Sequence, residues 1–327
     1  MVSRMIKLEN ITKSYGGITV VKALSLEVKE GEFVVLLGPS GCGKTTTLKM
    51  INGLIAPTSG RIYVEEQDIS TVNPIELRRQ IGYVIQRIGL LPHMTISDNI
   101  ALVPRLKGWS KDKRIKRADE LLDMVGLDPE TYRGKYPHQL SGGEGQRVGV
   151  ARALAVDPPI LLMDEPFGAL DPITRLQLQD EFLNLEEQVK KTVIFVTHDL
   201  DEAVRLADRI AIMDDGQLHQ YATPMDMLKH PADDFVAQFM GGDRLFRQLK
   251  LLIVRDVMVR DILGAQKRPE AIPSISSECR LDMALEKMLT AGKDQLSVED
   301  ERGTPIGILN TECFHAVLSN SSQSEEE

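Results

Sequence analysis

The nine residues GPSGCGKTT at 38–46 constrain this chain more than any other feature. They follow the apolar run FVVLL (33–37), which reads as a buried strand, and a helix opens at 46–53. The pattern is G-x-x-x-x-G-K-[ST] in a strand–turn–helix setting, the context that gives the motif meaning. Its glycines let the backbone curl so that successive N–H groups face an anion, and the helix start adds partial positive charge. Gly38, Pro39, Ser40, Gly41, Cys42, Gly43, Lys44, Thr45 and Thr46 are therefore expected to cradle nucleotide phosphates. Lys44 would reach the β and γ phosphates, and the Thr45 hydroxyl would meet Mg²⁺. Cys42 reads as a small loop residue, because no resolving cysteine lies near it in sequence.

The apolar runs further along the chain suit strands of a mostly parallel sheet covered on both faces. They are IGYVIQ (81–86), ILLMDE (160–165), TVIFVTH (192–198) and RIAIMDDG (209–216). Amphipathic stretches lie between several of them, ITRLQLQDEFLNLEEQV (173–189) being the clearest, and residues 96–125 are mostly helical by periodicity. The fold class is α/β. In such sheets ligands gather at the carboxyl ends of strands, so the polar residues there are the candidates for chemistry. Asp164 can hold Mg²⁺ through a water, and Glu165 can polarise the attacking water as a general base. An Asp-Glu pair after a strand is ordinarily an acidic turn; the phosphate loop upstream reverses that preference. His198 is either a satisfied structural histidine or a contact to the γ-phosphate. Gln86 is either a polar strand end or a Mg²⁺ ligand through its amide oxygen.

Composition excludes several classes. Lys plus Arg is 39 against 48 Asp plus Glu, a net charge of −9, which argues against a nucleic-acid partner. Three cysteines (Cys42, Cys279, Cys313) with no CxxC argue against a disulfide framework or a zinc site. No run approaches the ~18 apolar residues a membrane span needs, and the N-terminus lacks a signal core. The basic stretch KDKRIKR (111–117) reads as a solvated helix face.

LSGGEGQR (140–147) precedes a helix of small and apolar residues. Ser141, Gly142 and Gly143 form a second anion-binding helix start. In isolation this would be a simple glycine helix cap. A chain with one phosphate loop has no use for a second cradle of its own. A head-to-tail pair of chains resolves this, each cradle closing on the other's nucleotide. With Tyr15, GPSGCGKTT, Gln86, LSGGE, ILLMDE, ALD (169–171) and His198 in order, residues 6–240 resemble the ATP-binding subunit of an ABC transporter. The resemblance implies ATP and Mg²⁺ as ligands. It also implies Tyr15 on the adenine, Asp171 in a loop that crosses the dimer, and a helical subdomain that touches membrane subunits. VIQRIGLLPHMTISDNIALVP (84–104) is similar to importers of osmoprotectants such as glycine betaine, carnitine, choline and proline betaine. An importer of this kind implies separate permease chains, an extracytoplasmic binding protein, and a peripheral place on the cytoplasmic face of the plasma membrane.

The expected domains are an ATPase domain at 1–242, a linker at 243–254, a module at 255–318 and a disordered acidic tail at 319–327. The module has strand–helix–strand–strand–helix patterning, and with DVM early and PIGIL late it resembles a cystathionine-β-synthase-type (CBS) module. Two departures from the family pattern stand out. The signature reads LSGGEGQR where many relatives have LSGGQQQR, and one CBS-like repeat is evident where many carry two. Alternative functions are an ABC importer ATPase for another small solute, a non-transport ABC ATPase, and a nucleotide-binding regulator without turnover.

Overall fold

Two patterns of strand burial build the first part of the molecule. The computed structural model describes residues 4–85, 89–168, 170–189, 191–241, 244–260 and 272–319. The chain divides into two compact units, Met1–Tyr221 and Ala222–Glu327. In the first unit β1 (Arg4–Tyr15) and β2 (Ile18–Lys29) pair antiparallel. LSLEVK at the end of β2 alternates buried and exposed along its length, the mark of a sheet with one wet face. By contrast β3 (Phe33–Leu37) is buried at every residue. So are β7 (Ile160–Asp164) and β8 (Thr192–Thr197).

The alternating strands join β4 (Ser59–Val64) and β5 (Gln67–Asp68) in a four-stranded sheet of order β2-β1-β4-β5. The continuous apolar strands join β6 (Ile81–Val84), β9 (Arg209–Asp214) and β10 (Gln217–Ala222) in a six-stranded sheet of order β10-β9-β3-β8-β7-β6. From β9 to β6 every pair in this sheet is parallel. The parallel sheet matches expectation; the separate antiparallel sheet adds to it.

α1 (Lys44–Ile51) packs between the sheets, and Leu48 and Ile51 share one core with Leu8, Val21, Val34, Leu36 and Val196. Phe33, Phe167, Phe182 and Phe195 form a chain of ring contacts 5.6–5.9 Å apart. After α2 (Pro74–Gln80) comes the helical segment: α3 (Ile96–Ile100), α4 (Leu102–Leu106), α5 (Lys111–Met124), α6 (Pro129–Tyr132) and α7 (Gly142–Ala153). Thr95, Ser110, Asp128 and Ser141 each accept a backbone N–H at the start of a helix, which satisfies donors left open by helix geometry. The basic stretch lies on α5 and is largely exposed. α8 (Pro172–Val189) and α9 (Leu200–Leu206) complete the unit.

The second unit contains α10 (Pro224–Lys229), α11 (Asp234–Phe239), α12 (Arg244–Leu251) and α13 (Val254–Val257). Next come β11 (Ser274–Ser276), α14 (Leu281–Ala291), β12 (Gln295–Glu299), β13 (Pro305–Asn310) and α15 (Thr311–Ser319). The sheet order is β11-β12-β13, the first pair parallel and the second antiparallel. Leu281, Met288, Leu296, Val298, Leu309 and Phe314 form its core. Within the span expected to be a linker, residues 244–251 form α12, which packs on α10 and α14. From residue 320 the acidic tail lies outside the described residues.

Candidate functional site

The parallel register brings the carboxyl ends of β3, β8, β7 and β6 side by side. The segments leaving these strands are therefore gathered on one edge of the sheet. After β3 the backbone turns at Gly38 and enters α1 at Gly43, whose φ is 103°. A Cβ on Gly43 would lie 2.6 Å from the Val20 carbonyl oxygen, and one on Gly38 2.0 Å from that of Met213. Only glycine fits at these points. Pro39, Ser40 and Gly41 are exposed at the crest, Cys42 is buried, and Thr46 is half-buried. Burial pushes the Cys42 thiol above its ordinary range, with the Lys44 charge opposing.

Lys44 is buried, and its ammonium donates to the carbonyls of Gly38 (2.7 Å) and Pro39 (2.8 Å). The loop thus holds its own cation against its mouth. The Thr45 hydroxyl donates to Oδ1 of Asp164 across 2.9 Å. Asp164 ends β7 and is buried, which holds its carboxyl above its ordinary range, with the Thr45 hydroxyl opposing. A hydroxyl and a carboxylate side by side, next to a phosphate cradle, fit a hard cation completed by phosphate and water oxygens. Among the described residues no group of three or more His, Cys, Asp or Glu has metal-holding geometry.

Glu165 has a φ of 48°, in the left-handed region that L-residues avoid. Its N–H donates to the Val196 carbonyl (3.0 Å). Its own carbonyl accepts from Gln146 Nε2 (3.1 Å) and from the Gly168 N–H (3.2 Å). The strained turn aims the carboxylate at His198, whose Nδ1 lies 3.3 Å from Oε1. His198 follows β8 and is well exposed; Glu165 is mostly covered. Gln86 and Ala169 lie outside the described residues.

Ser141 caps α7. Its hydroxyl accepts the Glu144 N–H (3.3 Å), and Glu144 Oε2 accepts the Ser141 N–H (2.6 Å), a capping box. The other Glu144 oxygen accepts the Tyr132 hydroxyl at 2.5 Å, and these bonds hold the Glu144 carboxyl below its ordinary range. Gly142 and Gly143 form the first turn of this helix. Glu144 is thus structural cement at a position the sequence marks only as a departure. Asp171 caps α8 by accepting the Thr174 N–H (3.0 Å); the Thr174 hydroxyl, and after it this N–H, hold its carboxyl below the ordinary range. Tyr15 sits at the exposed end of β1, with the Lys13 ammonium 4.8 Å from its ring centre.

Sequence reading missed Gln146, which props the Glu165 turn, and a group next to the His198 loop formed by the half-buried Arg175 and the buried Gln179 and Glu202. Gln146 carried a usable signal, an amide side chain within the LSGGEGQR signature. The other three read only as the polar face of ordinary helices.

A glycine cradle, a hydroxyl–carboxylate pair, and a carboxylate–imidazole pair on adjacent parallel strands define a P-loop ATPase domain. A family profile described as "ABC transporter" matches residues 21–168. The glycine betaine/carnitine/choline transport ATP-binding protein OpuCA of Bacillus subtilis is 48% identical over 95% of this chain and 79% of its own length. The osmoprotectant import ATP-binding protein OsmV of Salmonella typhimurium is 53% identical over 77% of this chain and 68% of its own. Among solved structures, a dimer of the ATP-binding cassette MJ0796 in a post-hydrolysis state, bound to ADP and Pi, superposes with a TM-score of 0.64. It is 40% identical and covers 67% of this chain and 99% of its own. The chain belongs to the ABC transporter family, as an ATP-binding subunit of the importer type. It binds ATP and hydrolyses it in the service of transport. Among the described residues no helix is long and apolar enough to cross a membrane.

Proposed function

We propose that this chain energises uptake of a quaternary-amine osmoprotectant of the glycine betaine, carnitine, choline or proline betaine class. It does so through separate permease chains, from a peripheral position on the cytoplasmic face of the membrane. Support for the solute class comes from the relatives named for it. An extracytoplasmic binding protein delivers the solute. The MJ0796 cassette is described as dimeric, and by the same logic two copies of this chain close head to tail over two ATP molecules. Residues of the 38–46 loop and Lys44 hold the phosphates of one chain's ATP, Tyr15 stacks on its adenine, and Ser141, Gly142 and Gly143 of the other chain cap it. Asp171 lies in the loop facing the second copy.

Thr45, Asp164 and the Gln86 amide hold Mg²⁺, which when bound neutralises phosphate charge. The observation that carries the hydrolytic reading is the Glu165–His198 pair. Glu165 takes a proton from the attacking water as general base, while His198 orients that water and contacts the γ-phosphate. The module at 255–318 is CBS-like, supported by the order β11-α14-β12-β13-α15 around its own core.

The test is Glu165→Gln in the chain reconstituted with its permease and binding protein. ATP binding persists, turnover falls by about 100-fold or more, and uptake of labelled glycine betaine stops. Turnover at the normal rate would overturn the general-base role. A wild-type complex that imports no quaternary amine would overturn the solute class and leave the ATPase reading intact.

A further inference from the structure

One side chain holds both the loop of Asp171 and the loop of His198. Arg175, on the first turn of α8, donates from Nη2 to the Leu170 carbonyl and from Nη1 to Oδ2 of Asp199, each across 3.3 Å. Leu170 immediately precedes Asp171, and Asp199 immediately follows His198. The remaining guanidinium nitrogen, Nε, lies 3.8 Å from Oε1 of Glu202.

Glu202 is a carboxylate buried on α9, 6% exposed. Burying a charge is costly unless hydrogen bonds satisfy it. Here its Oε2 accepts the Thr197 hydroxyl (2.6 Å) and its Oε1 accepts Gln179 Nε2 (3.2 Å). The Thr197 oxygen in turn accepts the Asp199 N–H (3.0 Å). Thr197 and Asp199 flank His198: Thr197 is tied to Glu202 on α9, which Gln179 of α8 also bonds, and Asp199 is tied to Arg175 on α8. Burial holds the Glu202 carboxyl above its ordinary range, the Thr197 hydrogen bond opposing. The Arg175–Asp199 pair is about one-third exposed on each side, and as an ion pair alone it is worth little. Its value is directional, because a planar guanidinium has donors in a fixed fork and can span two loops at once.

We propose that Arg175, braced by Glu202, is a positioning residue that locks the Asp171 loop to the His198 loop. When a second copy seats against Asp171, the displacement is delivered to His198 and hence to the hydrolytic geometry. This rests on the reading of His198 and Asp171 given under the proposed function.

The experiment uses the full-length chain with Mg·ATP, measuring turnover, KM and the melting midpoint. Arg175→Gln is expected to lower kcat by about tenfold or more, the scale of effect that small misplacements produce. KM stays within about twofold, because ATP binding does not use the bridge, and any fall in the melting midpoint leaves the chain folded at the assay temperature. Arg175→Lys keeps the charge without the fork and is expected to stay slow. Glu202→Gln, which removes the brace, shows the same kcat-selective loss and serves if Arg175→Gln fails to fold. An unchanged kcat in Arg175→Gln, full recovery by lysine, or a loss that tracks the melting midpoint in both variants would overturn the proposal. His198→Ala is measured alongside. If it turns over normally, the role given to His198 is wrong whatever Arg175 does. If it is slow while Arg175→Gln is normal, only the bridge is wrong.

Discussion

Two helices of the first unit, α1 and α7, begin on glycine-rich turns, and they treat their free N–H groups in opposite ways. A helix start leaves four backbone donors without helical partners. At α1 the cap is Gly43, no side chain accepts from the first turn, no acid lies there, and the first residue is Lys44. At α7 the Ser141–Glu144 box satisfies two donors and places a carboxylate in the first turn. One start is left open and positive; the other is already closed on itself and carries a negative charge. Both attract anions through the helix dipole, but an anion arriving at α7 competes with Glu144. Under the proposed function, the first start would hold phosphate throughout a cycle, and the second would make a contact that is formed and released.

Substitutions at the two starts can break this contrast. The largest effect is expected from Gly43→Ala, which puts a Cβ 2.6 Å from the Val20 carbonyl and forces an L-residue to a φ of 103°. Strain of about 1–3 kcal/mol precedes any clash, and ATP binding by isothermal titration is expected to be lost. The matched change Gly142→Ala meets nothing within 4 Å and is expected to leave ATP binding intact. Equal damage from both would erase the distinction. Next, Ser141→Ala removes a hydroxyl from the second start. Helix capping alone costs about 1 kcal/mol, but turnover is expected to fall by about a hundredfold, as when one transition-state donor is deleted, with ATP binding by the chain's own loop unchanged. Normal turnover would show that Ser141 is only a cap.

The smallest effect is a pH dependence belonging to α7 alone. The Tyr132 hydroxyl and the Ser141 N–H hold Glu144 below its ordinary value of 4.5 in the folded chain. A depressed folded value means the unfolded chain binds the proton more readily. The stability from Glu144 is therefore complete above pH 4.5 and is lost as pH falls through the folded value. Melting midpoints of wild type and Glu144→Gln should differ above that pH and converge below it. A constant gap would mean that the box owes nothing to charge.

The open start is fully legible in the sequence, because its glycines and lysine act within nine contiguous residues. The ends of β7 and β8 are legible too, as apolar runs terminated by Asp164 and His198. The antiparallel sheet is not, although LSLEVK alternates plainly; attention to continuous apolar runs favours central strands. The role of Glu144 escapes because its carboxylate also bonds Tyr132, twelve residues upstream on another helix. The Arg175–Glu202 group escapes for a stronger reason. Its partners come from α8, α9 and the end of β8, and only the fold places a carboxylate of an amphipathic helix beneath a histidine loop.

The Val20 carbonyl has a consequence beyond the strand that carries it. It touches the space a Cβ would fill at Gly43, and equally at Gly216, where the distance would be 2.7 Å. One peptide oxygen of the outer sheet is thus wedged between the nucleotide loop and the turn between β9 and β10. The register of β2 against β1, irregular near Lys13 and Ser14, sets where that oxygen stands. A one-residue slip in a hairpin would withdraw the backstop from the loop, so the tuning of this motor extends into strands that contribute it no acid, base or cation.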